Sequence, residues 1–173
     1  MTATKAIPVK RLLSAQAYQL IDREIAKYPA DQKQSAVMGA LTIAQDEVGW
    51  VSPAVIEDVA DYLSMPPIAV YEVATFYNMY NLEEVGTWKI GVCTCLPCAL
   101  REGDKAGEYL KQKLGIDFGE TTPDGRFTLI ETECLGSCAD APICLINDKR
   151  VESFMDNAKL DALIDELRNK ERH

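Results

Sequence analysis

Trp88-Lys89-Ile90-Gly91-Val92-Cys93-Thr94-Cys95-Leu96-Pro97-Cys98-Ala99-Leu100 is the stretch on which the fold turns. Trp88 to Val92 alternates apolar and polar side chains, the period of a β-strand. Three cysteines then crowd into a turn that contains a proline. From Ala99 the period changes to that of a helix, with Ala106, Tyr109, Leu110 and Leu114 on one face and Gly115 as its stop. A strand that hands directly to a helix through a cysteine-bearing turn is one half of a β-α-β unit.

The rest of that unit lies downstream. Asp117 to Gly125 reads as a loop, with Pro123-Asp124-Gly125 as a turn, and Arg126 to Thr132 alternates as a second strand. Ile143 to Ile146 is a short apolar run, and Asn147-Asp148 makes a turn into a brief strand around Val151. Asp156 or Asn157 can cap a final helix with Leu160, Leu163, Ile164 and Leu167 inward. The order β-α-β-β-α predicts a small open sheet flanked by helices over residues 86–173.

Residues 1–85 read differently. Ser14 can cap a helix carrying Ala17, Leu20, Ile21, Ile25 and Tyr28. Asp31 and Gln34 have the spacing of a capping box before Val37, Leu41, Ala44 and Val48, and Gly49 can stop that helix. Ser52-Pro53 opens a third helix with Ile56, Val59, Ala60 and Leu63 inward. Pro66-Pro67 starts a fourth, through Val70, Val73 and Ala74 toward Phe76 and Tyr77. Connections of a few residues predict a compact helical bundle. The fold class expected is therefore α+β, a bundle followed by a sheet domain.

Composition narrows the chemistry. The chain has 173 residues, 47% of them hydrophobic, enough for a real core without disulfides. Its 18 basic and 27 acidic residues give a net charge of −9 with no basic stripe, which argues against nucleic acid or an anionic membrane surface as partner. Met1 to Lys10 holds no apolar stretch of a secretory signal, and no run reaches the roughly 18 apolar residues of a membrane span. A soluble, reducing compartment is expected, where clustered cysteines are more often metal ligands or redox groups than disulfides. The single histidine is His173, so imidazole ligation and histidine-based acid–base catalysis are nearly excluded. There is no glycine-rich nucleotide loop and no catalytic triad pattern.

The six cysteines carry the chemistry that remains. Cys93, Cys95 and Cys98 form one group; Cys134 and Cys138, separated by Leu135-Gly136-Ser137, form another, with Cys144 beyond. Two thiol groups on separate loops suit either a tetrahedral zinc or an iron–sulfur cluster. The C-x₄-C span of Cys93 and Cys98 and the C-x₃-C span of Cys134 and Cys138 favour a two-iron cluster over zinc, which more often takes paired C-x₂-C elements. A third reading is thiol–disulfide exchange by Cys95-Leu96-Pro97-Cys98, a C-x-P-C motif at the start of a helix. For Cys144, inside an apolar run, an inert buried thiol is the simplest reading.

These motifs resemble those of a known family. Val92 to Leu100, and Glu133-Cys134-Leu135-Gly136-Ser137-Cys138-Ala139-Asp140-Ala141-Pro142, are similar to the thioredoxin-like [2Fe-2S] subunit of respiratory complex I, the NuoE family of NADH:quinone oxidoreductase. Gln45 to Val51, Val73 to Tyr77 and Thr122 to Leu129 share in the likeness, which runs from about Ser14 to Leu167. The resemblance implies a thioredoxin-like ferredoxin domain with Cys93, Cys98, Cys134 and Cys138 as ligands of a [2Fe-2S] cluster. Pro97 and Gly136 would then shape the ligand loops. Cys95 stands where the family usually has another residue, commonly asparagine, and is a possible alternative ligand. The resemblance further implies a low-potential one-electron carrier beside a subunit that binds FMN and NADH, with a large iron–sulfur subunit next to it. The place implied is the peripheral, cytoplasmic arm of a membrane-bound complex. The same module occurs in NAD-linked hydrogenases and formate dehydrogenases. Trp50, Phe76, Tyr77 and Tyr80 are candidate anchors of a docking surface on the bundle.

Overall fold

The computed structural model describes residues 11–170; Met1 to Lys10 and Glu171 to His173 lie outside the described residues. The chain forms two compact units that divide between Glu84 and Val85.

The first unit is helical. Helix α1 (Ala15–Ile25) begins where Ser14 Oγ accepts from Ala17 N–H at 3.2 Å. It buries Ala17 and Ile21, while Leu20 and Tyr28 remain exposed, so its inward stripe is narrower than the spacing suggests. The capping box expected at Asp31 and Gln34 does not form. A 3₁₀ turn over Lys33–Ala36 leads into α2 (Val37–Val48), whose first turn has no side-chain cap. Gly49 ends α2 in the left-handed conformation (φ 98°), its N–H donating to Gln45 C=O at 2.7 Å. Ser52 caps α3 (Pro53–Leu63) through Val55 N–H, with Pro53 in the first turn, as expected. Helix α4 (Pro67–Phe76) follows Pro66 and buries Val70 and Ala74.

These helices close on Ile21, Leu41, Val59, Leu63 and Val70. Amid that apolar set sits one charge. Asp58 on α3 has no exposed side-chain surface and accepts from Arg11 Nη1 (3.1 Å), Leu12 N–H (3.2 Å) and the Tyr18 hydroxyl. Arg11 in turn lies over the rings of Tyr18 and Tyr62. A buried carboxylate is tolerable only with such donors.

The second unit is built on a four-stranded sheet in the order β2-β1-β3-β4. Strand β1 (Trp88–Cys93) pairs in parallel with β2 (Phe127–Thr132) and antiparallel with β3 (Cys144–Ile146), which pairs antiparallel with β4 (Arg150–Glu152). Asn147 and Asp148 both have positive φ in the three-residue connection between β3 and β4, which Lys149 N–H closes by donating to Ile146 C=O at 3.0 Å. The helix expected from Ala99 to Leu114 is two pieces. A single turn, α5 (Leu96–Ala99), is separated from α6 (Gly103–Leu114) by Glu102 at φ 69°. Continuous apolar spacing could not reveal a break made by one left-handed residue. Helix α7 (Asn157–Asn169) is capped by Asp156 and packs Leu160, Leu163, Ile164 and Leu167 with Ile90, Leu110 and Leu129.

Candidate metal centre

Parallel pairing decides where the cysteines meet. Cys93 ends β1 directly opposite Thr132, which ends β2. The turn carrying Cys95 and Cys98 and the loop carrying Cys134 and Cys138 therefore leave the same edge of the sheet. The carboxyl ends of parallel strands are where open sheets place their ligands. A third loop, Ala141 to Ile143, completes the spot. Cys93, Cys98, Ala141 and Ile143 form a small buried cluster of their own, with Cys95 and Leu135 packed against it.

The sulfurs stand as two pairs. Cys134 Sγ and Cys138 Sγ are 3.9 Å apart. That is close to the ~3.8 Å edge of a tetrahedron of sulfurs around a metal with bonds of about 2.3 Å. The Cys93 and Cys98 thiols stand side by side; Cys98 senses the charge of Cys134 and Cys138, and Cys138 senses that of Cys93. Among the described residues no group of three or more His, Cys, Asp or Glu side chains is gathered closely enough to hold a metal ion. Two thiol pairs on separate loops are what a two-iron cluster demands, two thiolates on each iron.

Burial pushes the Cys93 thiol up, but it is held lower overall. The Cys95 amide, the Cys98 thiol, the Leu135 amide and the Cys95 thiol all approach its sulfur and favour the thiolate. The Leu135 amide crosses from the second loop to the first, so the backbone beside Gly136 (φ 76°) does turn toward sulfur. Burial and then the bond to Cys93 push Cys98 up to about 12. Burial, followed by the charge and thiol of Cys93 and the charge of Glu133, raises Cys95. A thioredoxin-type exchange motif needs an exposed, lowered thiol at the start of a helix. Here Cys95, the thiol that would attack, is raised rather than lowered, and α5 is one turn long. This environment disfavours the exchange chemistry considered for Cys95 and Cys98. Pro97 lies exposed in the first turn of α5.

Other groups surround the thiols, and of these Gly103 was not legible beforehand. Thr94 Oγ1 donates to Glu131 at 2.5 Å, and Cys95 Sγ lies 3.7 Å from Glu133, so both carboxylates reach into the cysteine turn from β2 and the residues after it. Cys144 is fully buried on β3, and burial holds its thiol at about 12, with Glu152, Cys93 and Cys98 adding in the same sense. Gly103 opens α6 against the turn itself. A Cβ there would lie 2.8 Å from Cys93 C=O and 2.9 Å from Cys98 C=O. Gly103→Ala should push α6 off the turn, costing about 1–3 kcal/mol of stability and a measurable share of bound iron. Iron per folded chain equal to wild type would refute that close fit.

Comparison with known proteins agrees with this geometry. Residues 21–168 match the profile of the thioredoxin-like [2Fe-2S] ferredoxin family. An NADH-quinone oxidoreductase subunit from Rickettsia conorii is 46% identical over 87% of this chain and 90% of its own length. The mitochondrial NADH dehydrogenase [ubiquinone] flavoprotein 2 of Dictyostelium discoideum is 40% identical over 86% of this chain and 60% of its own. A solved NAD+-reducing [NiFe]-hydrogenase in its air-oxidised state shares the fold with a TM-score of 0.68 at 22% identity, covering 82% of this chain and 24% of that one. With two thiol pairs at one sheet edge and a profile match across most of its length, the chain belongs to the thioredoxin-like [2Fe-2S] ferredoxin family.

Proposed function

We propose that this chain is the [2Fe-2S] electron-carrier subunit of an NADH:quinone oxidoreductase. The observation that carries the reading is the meeting of two thiol pairs at the carboxyl edge of β1 and β2, in a chain so similar to a known NADH-quinone oxidoreductase component. Cys93 and Cys98 would hold one iron, Cys134 and Cys138 the other. The bound group supplies reversible one-electron chemistry at low potential. The chain's residues set the conditions for it. The Cys95 and Leu135 amides donate toward Cys93 sulfur and favour added negative charge. Glu131 and Glu133 oppose it.

The electron would come from the flavin of a neighbouring NADH-binding subunit, with a large iron–sulfur subunit beside it, in the peripheral cytoplasmic arm of the complex. Among the described residues no helix is long and apolar enough to cross a membrane. Residues 1–85 would supply a docking surface. Phe76, 79% exposed on α4, is its best anchor, whereas Tyr80 is buried with its hydroxyl donating to Met38 C=O and serves the bundle core. An equivalent place in an NAD-linked hydrogenase rests on shared fold alone.

Two measurements test this. Mixed with the flavin-bearing NADH-oxidising subunit, the full chain should show its reduced EPR signal on adding NADH, and should stay oxidised with NADH alone. Reduction by NADH without that subunit would overturn the carrier reading. Glu133→Gln should raise the midpoint potential by roughly 20–50 mV, since an exposed charge near the cluster is partly screened. An unchanged or lower potential in a redox titration would remove Glu133 from the account.

A further inference from the structure

Thr132 brings a buried hydroxyl to the cysteine edge of the sheet. It ends β2, and its register partner is Cys93 at the end of β1. Side chains alternate faces along a strand, so Thr132, Ile130 and Thr128 share a face with Cys93, Gly91 and Lys89. Gly91 shows how the threonine sits. A Cβ there would collide with Thr132 Cγ2, so the Thr132 methyl lies over the bare backbone of Gly91. A β-branched side chain wedged in this way keeps one rotamer. Its hydroxyl is therefore held in place, and the oxygen is shut off from water with no hydrogen-bond partner among the described residues.

The other polar side chains of β1 and β2 on that face are engaged. Thr128 Oγ1 accepts from Gly86 N–H at 2.6 Å and meets Thr121 Oγ1 at 2.7 Å, and Lys89 pairs with Asp148 at 2.5 Å. Trp88 Nε1 and Arg126 Nε also lack partners, but they belong to the opposite end of the same strands. A buried hydroxyl with no partner is unfavourable and calls for an explanation. Across the strand pair, at a spacing of about 4.8 Å, stands Cys93. A thiol sulfur is a weak acceptor, whereas a sulfur bound to iron carries negative charge and accepts well.

We propose that Thr132 is a hydrogen-bond donor to the bound cluster, its hydroxyl serving a charged sulfur on the Cys93 side and raising the midpoint potential. The inference rests on the [2Fe-2S] reading above and adds a tuning residue outside the four ligands. Hydrogen bonds to such sulfurs favour the reduced, more negative form. Thr132 thus acts against Glu131 and Glu133, which oppose added charge. The two branches of one side chain divide the work: the methyl seats it on Gly91, and the hydroxyl acts on the cluster.

The test is a redox titration, followed by EPR, of anaerobically purified full chains. A wild type without iron would overturn the cluster reading and this proposal with it. Given a loaded wild type, Thr132→Val keeps the methyl and the volume and removes only the hydroxyl. At the wild-type midpoint its ratio of reduced to oxidised cluster should be about fivefold to tenfold lower, a downward shift of about 41–59 mV at 59 mV per decade. Iron content and far-UV circular dichroism should match wild type. Thr132→Ser keeps the hydroxyl and should stay within about twofold of wild type, about 18 mV. Thr132→Ala lacks both groups and should fall at least as far as Thr132→Val, which keeps the comparison decisive if valine disturbs the packing. A residue that only packs would give the reverse order, with valine like wild type and serine displaced. A loaded Thr132→Val at the wild-type potential, or a serine variant that falls with it, would overturn the proposal and leave the cluster reading intact.

Discussion

Cys138→Ala should empty the centre. Cys134 and Cys138 are the only cysteines of the second loop, 3.9 Å apart, and removing one leaves its partner as a single ligand on that side. A two-iron cluster held by three thiolates has an open iron position, exposed at a half-buried edge where water and oxygen reach it. Iron per chain should fall at least about tenfold, with loss of visible colour and of the EPR signal. The fold should survive. Cys138 lies in a 3₁₀ turn, and none of the large core side chains depends on it. Far-UV circular dichroism should therefore match wild type while the iron is gone. Retention of two irons by the variant would show that the second pair has been misassigned. The contrast with Cys95→Ala, which should remain loaded, separates ligands from neighbours.

The second large effect is on stability and concerns the helical unit. Asp58→Ala should cost about 2–5 kcal/mol. The carboxylate is wholly buried and accepts from Arg11, Leu12 N–H and the Tyr18 hydroxyl. Truncation leaves the amide and the hydroxyl without an acceptor and opens a small cavity at the edge of the core formed by Ile21, Leu41 and Val59. Asp58→Asn, which keeps the shape and one acceptor oxygen, should lose less. The bundle holds Trp50 and the sheet unit holds Trp88. Denaturant unfolding followed by Trp50 fluorescence in a Trp88→Phe background would report the change in the correct unit. A shift below about 1 kcal/mol would mean that the buried network is not coupled to the stability of the bundle.

The residues that were legible in sequence are those whose cause is local. Ser14, Ser52 and Asp156 cap because each precedes an apolar-periodic run, and each accepts from the amide three residues on. Gly49 and Gly115 stop helices in the left-handed conformation that glycine adopts without strain. The Asn147-Asp148 turn needed only its own dihedrals. What escaped depends on partners distant in sequence or on a single backbone angle. Asp58 has the pattern of a solvated residue on α3, and its donors lie forty or more positions away. Tyr80, an aromatic with the character of an interface anchor, is committed to Met38 across the bundle. Glu102 divides one apparent helix into α5 and α6, and a 3₁₀ turn took the place of the capping box at Asp31.

The cysteines lie between these cases. Their grouping into two loops, each following a strand, was visible because strand period and cysteine spacing are both local. That the loops leave one edge follows from the parallel pairing of β1 with β2, which no spacing states. The Leu135 amide on Cys93 sulfur and the reach of Glu133 to Cys95 are consequences of that pairing.

The central claim is tested most directly by an EPR spectrum of the anaerobically purified full chain after dithionite reduction, with iron and sulfide assayed on the same sample. A rhombic or near-axial S = 1/2 signal with about two irons and two sulfides per chain is the predicted result. A folded chain that is EPR-silent and carries zinc or no metal would contradict it.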